Sequence, residues 1–399
     1  MSEKTLANDT PEAAKSIQST VKTVVIAVLI VLGGVLMLKS RLFKPELYNT
    51  SGDTMGTDYC VIVCAESSWG WERTAAAIEN ELARVNRLMS MFIDDSEITK
   101  FNDHSSTDWI EVSPDMVKLV KLSKEVSQIV EGKFDITVGP LVDLWGFGRR
   151  QRRLTIPPHV TDILKTQEIC GLDKLEYREA SPGVKPALKK ATPELQIDLS
   201  GVAKGYGVDC VAAVLEKRGY KNYMIEIGGE TRTQGHKVVR QEKEGWLSMF
   251  SADRQAAPWL IGIPEPLPQE RYELPTIALK VDLNDRAMAT SGDAYNTKEI
   301  GGQRYTHIID PKSGYAVMPE ELGTDMDGEE VGSVSVIADT CAEADALATG
   351  FYLLGVRRGV ETANLHGLAV VYLIRTGDPN NPVRAVLSDA FPKNDAPAR

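Results

Sequence analysis

"QIDLSGVAKGYGVDCVAAVLEKRGY", residues 196–220, is the stretch on which the fold turns. A short apolar run, Ile197 and Leu199, carries one carboxylate, Asp198, and then gives way to small residues. Lys204 follows, flanked by Gly201, Gly205 and Gly207, and the remainder becomes an amphipathic helix closed by Gly219. The backbone reads as a strand, a glycine turn and a helix starting after Gly205. A helix start beside a cation also favours an anion, so the same residues are a candidate ligand site.

Other elements extend this pattern in both directions. "WERTAAAIENELARVNRLMSMF" (71–92) puts Ile78, Leu82, Val85 and Leu88 on one helix face. "SPDMVKLVKLSKEVSQIVEG" (113–132) opens with Ser113 as a cap and Pro114 at the first helical position, and ends near Gly132. "YMIEI" (223–227) and "VGSVSVIA" (331–338) read as strands, the second followed by a helix. Strands and helices alternate without a strict βαβ rhythm, which favours a mixed α+β domain over a doubly wound sheet. Residues 237–258 and 318–332 read as polar insertions; the second contains "DMDGEE" but lacks the twelve-residue spacing of a calcium loop.

Composition narrows the function. The chain has 399 residues, 43% hydrophobic and 25% charged, and its net charge of -11 leaves no basic face for nucleic acid. "TVVIAVLIVLGGVLML" (23–38) is free of charge and bounded by Lys22, Lys39 and Arg41. Sixteen residues lie just below the lower limit of about 17 for a spanning helix, and flanking lysines make up the difference. The run is long for a cleaved signal and no small-x-small site follows it, so a signal-anchor is expected over 23–41. The expected organisation is a disordered segment 1–22, this transmembrane helix, a tether 42–54, a folded domain 55–390 and a tail 391–399. The five cysteines are few, and Cys60 and Cys64 lie roughly 13 Å apart if "YCVIVC" is a strand, too far for a disulfide. Buried thiols are expected instead.

Several motifs carry candidate chemistry. In "DTCAEADALATGFYLLG" (339–355) Thr340 and Glu343 have capping-box spacing, and Asp345 and Thr349 share a helix face. That pair is either two hard oxygen ligands for magnesium or a buried carboxylate bonded to a hydroxyl one turn on. "GKFDITVGPLVDLWGFG" (132–148) combines Phe134, Asp135 and Thr137 with Trp145, Phe147 and glycines, as in a pocket that stacks a flat ring or a core turn with aromatic plugs. "IEIGGE" (225–230) ends a strand in two glycines. "TSGD" (290–293) and "YTHIIDPKSGY" (305–315) supply Ser291, Asp293, His307 and Asp310.

"MGTDY", "MSMFIDDSEITKFN", "FDITVGPLVDLWGFG", "DLSGVAKGYGVD", "IEIGGE", "TSGD", "HIIDPKSGY" and "EADALATG", in this order from Met55 to Gly355, closely resemble the ApbE family of FAD:protein FMN transferases. The resemblance implies a single ApbE-like, T-fold-related mixed α/β catalytic domain behind the N-terminal helix. It implies a magnesium-dependent transfer of FMN from FAD to a Ser or Thr hydroxyl of an exported or membrane redox flavoprotein, with release of AMP. Carried over by motif, the flavin site comprises Met55, Phe92, Phe134, Asp135, Thr137, Asp198, Lys204 and Ile309. The magnesium ligands are Asp345, Thr349 and the carbonyl of Gly201, with a backbone contact from Ala348. His307 is the first candidate for the base that deprotonates the acceptor, Asp293 the second, and Lys204 the cation beside the pyrophosphate. The expected location is the inner membrane, single-pass, with catalysis on the extracytoplasmic side. The rivals are a magnesium-dependent FAD pyrophosphatase and a non-catalytic flavin carrier; retention of Asp345 and Thr349 disfavours the carrier.

Overall fold

A computed structural model describes residues 45–240, 254–267, 275–292, 297–318 and 330–393. The expected membrane helix, most of both insertions and the end of the tail lie outside these residues. Among the described residues no helix is long and apolar enough to cross a membrane.

The frame is one eight-stranded sheet. Its strands run Glu46–Thr54, Thr57–Ala65, Tyr223–Ile227, Glu230–Gln234, Ala287–Gly292, Glu330–Ala338, Ala369–Arg375 and Val383–Leu387, in that spatial order. From Thr57–Ala65 onward every neighbouring pair is antiparallel. That agrees with the absence of a βαβ rhythm, since antiparallel neighbours need no helical crossover. The strand Glu330–Ala338 is buried along nearly its whole length, because both faces of the sheet are covered there. Helices Ser200–Lys217 and Cys341–Leu354 lie over one face of the sheet. The other face packs on Ile263, Val281 and Leu283, from and beside the hairpin Leu260–Pro264 with Ile277–Asp282.

Local chemistry sets the helix boundaries. Ser113 accepts a hydrogen bond from the Met116 N–H at 3.2 Å, and Thr340 does the same for Glu343 at 3.3 Å, as their spacing predicts. Helix Trp71–Met89 buries Ile78, Leu82, Val85 and Met89 as its stripe. All five cysteines are free thiols; Cys64, Cys170, Cys210 and Cys341 are buried as expected, and Cys60 is half-buried.

Three expectations change. Residues 46–54, read as tether, form the edge strand, and Phe391, placed in the tail, is 3% exposed under the sheet. Neither carries a helical or long alternating pattern; each is recruited by a surface that the rest of the chain builds. The largest change concerns residues 196–209. The helix begins at Ser200, before the glycines rather than after them, so Gly201, Gly205 and Gly207 are helical. They serve close approach, not a turn. A Cβ on Gly205 would sit on the carbonyl of Cys341 and 2.9 Å from the Cα of Ala342; one on Gly207 would lie 2.8 Å from Met55 Cε.

This contact joins the two central helices reciprocally. The Asp209 carboxylate, on helix Ser200–Lys217, accepts the Cys341 and Ala342 N–H groups at 3.0 Å each and thereby caps the neighbouring helix. Arg232 holds that carboxylate at 2.6 Å. In return Asp345, on helix Cys341–Leu354, accepts the Gly205 N–H at 3.0 Å. Replacing Asp209 by Ala strands two N–H groups and takes from the partly buried Arg232 guanidinium its nearest carboxylate, leaving it Glu216 at 3.7 Å. Asp209→Ala is expected to lose about 3 kcal/mol of stability, read from urea denaturation.

Candidate active site

The site grows from that helix contact. Asp345 is 3% exposed, and its helix carries Thr349 one turn on, facing Gly201 of the partner helix. A Cβ on Gly201 would lie 3.3 Å from Thr349 Oγ1 and 3.1 Å from Phe134 Cε2, so glycine keeps open the gap between hydroxyl, helix backbone and ring. Ser291, from strand Ala287–Gly292, stands with its hydroxyl 3.1 Å from that of Thr349. Lys204 is one helical turn beyond Gly201, and its ammonium donates to Glu230 Oε1 at 2.6 Å.

Electrostatics here are strained by burial. Burial pushes the Asp345 carboxyl above its usual range, with Lys204 and the Gly205 N–H acting against it. Burial likewise drives Glu230 up to about 8, opposed by Lys204 and reinforced by Asp345. Burial pulls the Lys204 ammonium down, but Glu230 and Asp345 more than offset it and hold it above its ordinary value. Two carboxylates thus share one ammonium in a poorly solvated place.

The donors beside this unbalanced charge are a carboxylate, two hydroxyls and the Gly201 segment's backbone, all hard oxygen groups. Among the described residues no three His, Cys, Asp or Glu side chains gather as a metal cage. Such a donor set fits a magnesium ion that takes its remaining ligands from phosphate and water. The residues present therefore fit the ion expected from the sequence.

The other predicted residues are distributed more widely. Phe134, 4% exposed, reaches the site at Gly201. Asp135 and Thr137 bond each other: Asp135 Oδ1 accepts the Thr137 N–H at 2.7 Å and its hydroxyl at 2.6 Å. Thr137 Oγ1 also accepts the Gly171 N–H at 2.6 Å, and burial raises the Asp135 carboxyl. Asp198 sits at the start of the helix, its Oδ1 accepting the Ser200 N–H at 2.8 Å while burial raises its carboxyl. Its own N–H donates to the Ile136 carbonyl at 2.7 Å, which joins the 134–138 and 196–198 segments. Asn102 secures the preceding residue with two 2.8 Å bonds to the backbone of Ile197.

Met55, at a φ of 50°, packs on Gly207. Ile309 belongs to a separate apolar cluster with Leu141, Trp145 and Tyr305, and Ala348 is fully buried. Phe92 is 57% exposed. His307 is half-buried just after strand Gln303–Thr306, and Asp293 lies outside the described residues. Glu230 was not among the predicted site residues. In sequence it is only the acid that closes "IEIGGE", and nothing local pairs it with a lysine 26 positions away.

The sequence profile of the ApbE family matches residues 55–372. The chain belongs to the ApbE family. A curated relative from Vibrio cholerae, named FAD:protein FMN transferase, is 34% identical over 351 residues, covering 88% of this chain and 94% of its own. The relative of the same name from Escherichia coli is 31% identical, covering 84% and 86%. Among solved structures, the flavin transferase ApbE from Vibrio cholerae superposes with a TM-score of 0.70 at 33% identity, covering 87% of this chain and 99% of that one. The apo flavinyl transferase ApbE of Pseudomonas stutzeri gives 0.69 at 27% identity, covering 88% and 96%. The ApbE fold is therefore shared over nearly all the described residues.

Burial in this ApbE site has a consequence for pH. A carboxyl whose folded pKa exceeds its unfolded value takes up a proton on folding, so its contribution is present at low pH and lost as pH rises through the folded pKa. For Glu230 that window runs from 4.5 to about 8. Without added cation, the melting temperature is expected to fall across this window. The fall is smaller in Glu230→Gln, read by thermal melting at fixed ionic strength.

Proposed function

We propose that the chain is a magnesium-dependent FAD:protein FMN transferase that moves the FMN half of FAD onto a Ser or Thr hydroxyl of an exported or membrane redox flavoprotein and releases AMP. The observation that carries this reading is the oxygen-lined gap among Asp345, Thr349 and Gly201, one turn from the Lys204 ammonium. Relatives of the same family are named FAD:protein FMN transferase.

In this reading Phe134, Asp135, Thr137 and Asp198 line the flavin nucleotide's place, with Met55, Phe92 and Ile309 completing it. Lys204 sets a positive charge beside the pyrophosphate. Asp345, Thr349, the Gly201 carbonyl and the Ala348 backbone would hold magnesium, which neutralises pyrophosphate charge when bound. The acceptor oxygen bonds to the FMN phosphorus as the bond from that phosphorus to the bridging oxygen breaks. AMP departs with the bond's electrons, and His307 accepts the acceptor's proton, with Asp293 second in line. The apolar run at 23–38 would anchor the chain in the inner membrane with the catalytic part outside the cytoplasm.

The test incubates the full chain with FAD, magnesium and a candidate acceptor subunit, and follows acceptor mass and free AMP. An acceptor heavier by one FMN, with equimolar AMP, is expected. AMP without any acceptor mass makes the protein a pyrophosphatase instead. Asp345→Asn, which keeps an oxygen for the Gly205 N–H, is expected to lower AMP release by at least about 100-fold with the fold retained, as judged by circular dichroism. Undiminished release from that variant removes Asp345 from the metal site.

A further inference from the structure

The Lys204 partner is the unexplained part of this site. Glu230 opens strand Glu230–Gln234 directly after Gly228 and Gly229, whose φ angles of 58° and 103° make the two-residue turn that pairs Ile227 with Glu230. Its side chain is 1% exposed. One oxygen takes the Lys204 ammonium at 2.6 Å; the other meets no donor among the described residues. A stability role alone would favour replacing such a half-satisfied buried carboxylate with an apolar residue. Lys204, by contrast, keeps 30% of its side chain exposed, so the pair has a buried anionic end and an open cationic end.

Charge counting gives that geometry a use. When both are ionised, Glu230 and Asp345 carry two negative charges against the single positive charge of Lys204, both carboxylates being buried. The surplus is one negative charge where a diphosphate has to approach. A divalent cation at Asp345 reverses the surplus to one positive charge. We infer that Glu230 is a positioning residue that fixes Lys204 and, through its negative charge, makes FAD binding conditional on the divalent cation. The inference rests on the metal-site reading above. Glu230 makes the diphosphate unwelcome until the cation is present, so unloaded protein does not retain FAD unproductively. Binding of FAD and of cation are then coupled, and by linkage each strengthens the other.

The test measures FAD affinity by quenching of flavin fluorescence with the full chain, with magnesium chloride or with EDTA. It is run at pH 9, above the value of about 8 for Glu230, so that the carboxylate is charged. In the wild type, magnesium is expected to tighten FAD binding by about tenfold or more. Glu230→Gln keeps the shape and one acceptor for Lys204 but removes the charge. It is expected to bind FAD more tightly than wild type in EDTA, and to reduce the magnesium gain to about threefold or less. Glu230→Asp is expected to restore most of the gain. A Glu230→Gln protein that keeps the wild-type gain overturns the inference, as does equal loss in the Gln and Asp variants with a common drop in melting temperature. Asp345→Asn separates the two readings. If it keeps the full magnesium gain, the metal site itself is misplaced; if it loses the gain while Glu230→Gln keeps it, only the role of Glu230 fails.

Discussion

The structure depends on the exchange of carboxylates between two helices. Asp209 of one caps the start of the other, and Asp345 of the second bonds the Gly205 amide of the first. The helices approach closely at Gly205, where a side chain would overlap the Cys341 carbonyl. Helix N-termini leave their first N–H groups without internal partners, and a carboxylate brought from outside satisfies two of them at once. Thr340 caps this helix locally at the Glu343 N–H, whereas the Asp209 cap is tertiary and forms only when the neighbouring helix is docked.

The same closeness creates the site. Once the helices touch, Gly201, Lys204, Asp345 and Thr349 surround one gap, with Phe134 at its side. Docking also removes water from the carboxylates, and desolvation is the largest influence on Asp345 and Glu230. A hydrated carboxylate has little need of a cation; a buried one beside another anion gains much by acquiring one. The packing that holds the domain together thus also leaves two buried carboxyls with one ammonium between them. The half-exposed Lys204 gives the same gap an open cationic edge.

Much of this was legible in advance, and the failures have a pattern. Asp345 and Thr349 were readable because four-residue spacing on a helix places side chains together irrespective of the surroundings. The caps at Ser113 and Thr340 were readable for the same reason. The glycines of 201–207 were misread as a turn because local propensity treats glycine as a helix breaker; their packing role depends on Cys341 and Met55, over a hundred residues away. Asp198 and Asp209 look alike in the quoted stretch, yet one serves its own helix and the other its neighbour's. Glu230 lacked any signal, since its partner is reached across a strand-to-helix contact.

The amino-acid sequence by itself determined the family and the mixed α+β character. Order of motifs and periodicity are properties of the chain, so they survive without coordinates. Only the tertiary structure decided where the helix at Ser200 begins, which carboxylate caps which helix, and that Glu230 rather than solvent holds Lys204. Those facts rest on distances between segments far apart in sequence, and on how much water their packing excludes. Neither quantity is encoded at any single position.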